Sequence, residues 1–125
     1  MEQFLISQKQ MEMNDIQLNE SLQKSDFVTD TIMQIEKDFS RCNIALDFQG
    51  IHDRNSIEDC ILNALKILPN DKLQQLIYII DIPENEFLKI VGNQFFLVAL
   101  SEKILRREAL KVYLKRALSA KNNPS

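Results

Sequence analysis

The chain has 125 residues, 45% apolar and 26% charged, with a net charge of −3. These are the proportions of a single globular domain that can bury roughly two thirds of its unfolded surface. Two glycines and three prolines argue against an all-β fold, which spends both on turns. No tryptophan and only two tyrosines leave few platforms for stacking exposed bases.

The opening residues, Met1-Glu2-Gln3-Phe4-Leu5-Ile6-Ser7, carry no basic n-region and a run of only three apolar residues, so no secretory signal is expected. The longest apolar runs, Leu76 to Ile80 and Phe95 to Leu100, fall short of the ~18 residues needed to span a bilayer, and no membrane partner is expected. Cys42 and Cys60 are the only cysteines, and a cytoplasmic setting would keep them reduced. Charge is unevenly distributed. Residues 1–50 carry nine acids and four bases, residues 51–92 seven and four, and residues 93–125 two and seven, so the chain is acidic in front and basic behind.

In residues 1–24, Phe4, Met11 and Leu18 recur every seven positions, but the companion positions Ser7, Asn14 and Ser21 are polar. That pattern does not make a coiled-coil seam; a marginal helix or mobile arm is expected, ahead of a helical domain over 25–120. Val28, Ile32, Ile35 and Phe39 then form one stripe of a helix over residues 26–40, with Ser25 or Asp26 as its cap. Ile44, Leu46 and Phe48 alternate as in a short strand, with no second strand to pair with, and Gly50 with the polar run His52 to Asn55 marks a loop. Ser56 is placed to cap the next helix, along which Ile57, Cys60, Ile61, Ala64, Leu65 and Leu68 keep helical spacing.

Two proline-punctuated stretches follow, Leu68-Pro69-Asn70-Asp71-Lys72-Leu73-Gln74-Gln75-Leu76-Ile77 and Ile82-Pro83-Glu84-Asn85-Glu86-Phe87-Leu88-Lys89-Ile90-Val91. Each predicts a helix begun by proline, whose missing N–H has no partner in a first turn anyway, with apolar residues four, seven and eight positions later. Asp81 and Glu84 fit a capping box for the second helix, and Gly92 fits a left-handed stop. Two copies are too few for a solenoid, so the pair reads as a local hairpin. From Asn93 to about Ser119 nothing interrupts a long helix of roughly 40 Å. It carries two nearly opposite apolar stripes, one of Phe95, Val98, Leu105, Ala109, Val112 and Tyr113, the other of Phe96, Leu100, Leu114 and Leu118. A helix apolar on two sides is expected to be the spine of its domain. Residues 121–125 should fray.

Sites of chemistry are scarce. Cys42, His52 and Cys60 are too widely spaced for a structural zinc site, which favours ligands two to four residues apart. Ser56 near His52 is more simply a helix cap than a nucleophile, and two glycines make no phosphate cradle. No catalytic, cofactor or metal residues are therefore assigned. The proline hairpin resembles a helix-turn-helix in outline, but Glu84 and Glu86 would face phosphate at the end meant to enter the groove. What remains is the basic stripe Lys103, Arg107, Lys111 and Lys115, with Arg106 and Arg116 beside it. The expectation is an all-α, single-domain bundle of about five or six helices, short ones packed on a long C-terminal one. Its function is expected to be non-catalytic: a cytoplasmic protein-interaction or regulatory module, capable of self-association, that docks through an apolar groove or the basic stripe. Nucleic-acid binding through that stripe is the alternative.

Overall fold

The computed structural model describes residues 13–121; the expectations resting on Phe4, Met11 and the tail beyond 121 lie outside them. Among the described residues the chain forms six helices and no strand: α1 (Asp15–Ser21), α2 (Ser25–Ser40), α3 (Arg54–Lys66), α4 (Asn70–Ile80), α5 (Glu84–Ile90) and α6 (Phe96–Lys121). The all-α bundle around a long C-terminal helix is thus the observed architecture. The most extensive packing is of α3 and α2 on α6, while α4 bridges α2 and α6 and α5 lies on α6.

The helix starts follow local chemistry, though not always through the expected residue. Asn14 caps α1 by accepting the Gln17 amide, and Gln17 returns a bond from the Asn14 amide. Neither Ser25 nor Asp26 caps α2; both lie inside the helix, and Lys24 occupies the cap with no side-chain bond. At α3 the cap is Asp53, three residues before Ser56. Asp53 accepts the Ser56 amide while Ser56 Oγ lies 3.4 Å from the Asp53 amide, so serine holds the reciprocal place of a capping box.

Pro69 and Pro83 each stand one residue ahead of their helix, with φ of −63° and −58°, and their carbonyls accept the amides of Leu73 and Phe87 at 3.0 Å. The repeated device holds in its central position: Leu76 and Ile90, each seven past the proline, are both buried. The eighth position differs because α5 stops at Ile90, which leaves Val91 exposed while Ile77 stays half-buried. Asp81 does not cap α5. It ends α4 in the left-handed conformation (φ 67°, ψ 50°), and Pro83 caps α5 without a side-chain bond. Gly92, expected as a left-handed stop, is not left-handed; Gly50, at φ +77°, is the glycine that needs its freedom.

Leu18, Phe39, Ile57, Ile61, Leu76, Ile80, Leu100, Ile104 and Leu105 are wholly buried and form the centre of the core. Each such side chain contributes on the order of 2 kcal/mol through burial. Ile44, Leu46 and Phe48 pack onto this core from an irregular segment without strand pairing. Along α6 the two expected stripes are buried only in part. Leu100, Ile104, Leu105, Ala109 and Val112 are buried, but Phe95, Val98, Tyr113 and Leu118 are exposed. The shorter helices cover only the middle of a helix of 26 residues, so apolar residues near its two ends stay in solvent.

Candidate interaction surfaces

A spacing of four along an α-helix advances about 40° per step, so the basic stripe winds across α6 rather than running straight. Each of its members meets another helix. Lys103 Nζ lies 2.6 Å from Glu86 Oε2, and Arg107 donates to Asp81 at 2.8 Å. Lys111 Nζ lies 2.7 Å from Asp38 Oδ2, and Lys115 donates to the amide oxygen of Gln34. The neighbours behave alike. Arg106 bonds Asp15, Glu102 and the Met13 carbonyl, while Arg116 pairs with Asp26 and Asp30 and lies 5.1 Å from the centre of the Phe27 ring. The acidic front of the chain and its basic back are therefore complementary within one molecule. Hydrogen bonds from Lys103 and Lys89 hold the Glu86 carboxyl below its ordinary range, and that from Arg106 does the same for Asp15.

Inside this set lies a polar layer between α2 and α6. Glu108 has no exposed surface, and Lys111 Nζ is 3.0 Å from its Oε1. Burial, reinforced by the hydrogen bond with Asp38, pushes the Glu108 carboxyl up to about 9, so it keeps its proton at neutral pH. Burial alone would raise Asp38 too, but hydrogen bonds from Glu108 and Lys111 outweigh it and hold Asp38 ionised below its usual range. Gln34 Nε2 donates to Asp38 Oδ2 at 3.3 Å, and the chain of contacts continues through Gln34 to Lys115 at the surface. There a groove of about 350 Å³ opens between the two helices, with Met33 and Val112 among its apolar residues.

A second groove, of about 240 Å³, lies between α4 and α5. Ile77, Tyr78, Ile82 and Phe87 supply its apolar lining and Asp81 and Glu84 its charge; no basic residue lines it, though Arg107 pairs with Asp81 at its rim. Tyr78 is 84% exposed although it belongs to an otherwise apolar run. Further along the chain, Leu88 (61% exposed) and Val91 lie one turn apart at the end of α5, and Phe95 (62%) and Val98 one turn apart about the start of α6. Phe87 and Phe96 meet edge to face, with centroids 5.7 Å apart, and so fix α5 against α6.

The residues weighed for chemistry have structural places. Ser56 is engaged with Asp53, His52 Nδ1 lies 3.2 Å from the Gly50 carbonyl, and both cysteines are free thiols. Among the described residues no three His, Cys, Asp or Glu side chains converge as metal ligands, and no helix is long and apolar enough to cross a membrane. Sequence reasoning passed over Glu108 and Asp38, though both had a signal. Glu108 lies three residues after Leu105 and four after Ile104, and Asp38 three after Ile35, inside the apolar faces of their helices. The exposed face around Tyr78 had none, since Tyr78 continues an apolar run. No protein-family model, curated protein or solved structure matches this chain.

Proposed function

We propose that the chain is a non-catalytic helical protein-interaction module of the cytoplasm, and that its working surface is the apolar face of α4, α5 and the start of α6. The observation that carries this reading is an acid-rimmed apolar groove whose lining includes the 84% exposed Tyr78, followed along the chain by four more exposed large apolar residues, Leu88, Val91, Phe95 and Val98. Scattered exposed apolar residues are ordinary, but a group beside a concave site is the usual form of a docking surface. A groove of this kind suits an amphipathic helix laid along it.

The basic stripe is the weaker candidate for the same role. Lys103, Arg107 and Lys111 each face a carboxylate of another helix, so a phosphate or an acidic peptide must displace those acids before gaining its own contacts. Nucleic-acid binding draws correspondingly less support, and it predicts an affinity that falls steeply with salt. The non-catalytic reading rests on the structural engagement of Ser56 and His52.

Affinity capture with the wild-type chain, in parallel with a Tyr78→Glu/Phe95→Glu variant of unchanged helicity, tests the docking face. A stoichiometric protein retained by the wild type and lost by the variant is the expected result. Identical captured sets would remove this face from consideration.

A further inference from the structure

We infer that the groove between α4 and α5 receives the C-terminal end of α6 from a second copy of this chain, in a reciprocal exchange that closes a two-fold pair. The inference rests on the docking face just proposed and names its occupant. The groove offers Ile77, Tyr78, Ile82 and Phe87 with two acids, of which Asp81 is paired with Arg107 while Glu84 makes no ion pair among the described residues. Its natural complement is an amphipathic helix that brings a lysine or arginine to Glu84 and carries no acid.

The chain carries such a segment. After Glu108 the sequence holds no further acid, while Lys111, Lys115, Arg116 and Lys121 follow; Lys111 and Arg116 are paired with the acids of α2, which leaves Lys115 as the described cation to bring to the groove. In the same stretch Tyr113 and Leu118 are exposed, and the helix continues to Lys121. Lys115 faces the neutral amide of Gln34, so its charge is not offset by a carboxylate among the described residues.

Geometry excludes the groove's own helix end. Arg107 touches Asp81 at the groove rim, and Leu118 lies eleven residues further along one uninterrupted helix. At 1.5 Å per residue that is about 16 Å away along a rod that does not bend back. A second copy is free of this limit. When each copy gives its helix end and takes its partner's, both grooves fill and the assembly closes at two rather than growing into a fibre.

Sedimentation equilibrium of the full chain across a wide concentration range tests the exchange. The mass should rise from 14.6 kDa toward twice that value, and less so in high salt. Tyr78→Glu spoils only the groove and Leu118→Glu only the helix end, and both positions are exposed, so circular dichroism should show an unchanged fold. Each variant alone should associate at least about tenfold more weakly. An equimolar mixture should recover pairing, because one intact groove then meets one intact helix end. A constant monomer mass overturns the exchange while leaving the docking face to its own capture test. Undiminished pairing of Leu118→Glu, or no recovery in the mixture, overturns it as well.

Discussion

Glu108 sits without solvent contact in the middle of α6, and its proton is what makes the position tolerable. A carboxyl whose folded value is raised from 4.5 to about 9 binds a proton that the unfolded chain has already lost over most of that interval. Folding stability therefore falls as pH rises between those values, by up to about 1.4 kcal/mol per pH unit for one such group. Asp38, Asp15 and Glu86 act oppositely: their lowered values add stability above the ordinary carboxylate range that is lost as pH falls through their folded ones. The two trends predict a stability maximum at mildly acidic pH. Thermal melts of Glu108→Gln should match the wild type near pH 5 and exceed it at pH 8, since glutamine has no proton to lose. A wild-type profile flat from pH 6 to 9 would show that Glu108 is ionised in the folded state.

Between elements, the cations of α6 join helices together. Lys111 links α6 to Asp38 of α2, where the carboxylate is almost wholly shielded from solvent. Removing one partner of a buried pair leaves the other charge uncompensated, which costs about 3 kcal/mol or more, whereas replacing both by apolar groups is often neutral. Urea titrations should find Lys111→Met strongly destabilised and Lys111→Met/Asp38→Leu largely recovered; equal losses in both would place the pair outside the packing of α2 on α6. The same logic complicates any functional test that neutralises Lys103, Arg107, Lys111 and Lys115 together, since the fold is weakened along with the charge. Much of the element level was readable beforehand. In the stripe of α2 Val28, Ile35 and Phe39 are buried and Ile32 half-buried, and in that of α3 Ile57, Ile61 and Leu65 are buried while Cys60, Ala64 and Leu68 are half-buried. The cap residues were less so, because Asp53 and Ser56 both suit a cap and only backbone geometry distinguishes the two places.

For the whole molecule, the N-terminal helix matters more than its polar sequence suggests. Met13, Leu18 and Leu22 all enter the core, and Arg106 and Arg54 hold α1 through Asp15, Asn19 and the Met13 carbonyl. Leu18→Ala should cost about 3 kcal/mol in chemical denaturation, as for other wholly buried leucines. A loss below about 0.5 kcal/mol would mean that α1 is not docked. The sequence by itself determined the helical class, the two helices that follow Pro69 and Pro83, the long final helix and much of the apolar stripes of α2 and α3, because periodicity and proline chemistry act within a few residues. Only the tertiary structure decided that most of the basic stripe faces acids, that Glu108 is buried beside Asp38 and Lys111, and that Tyr78 and Phe95 face solvent. Those outcomes depend on how helices far apart in the chain cross, and on how much of α6 its shorter neighbours cover.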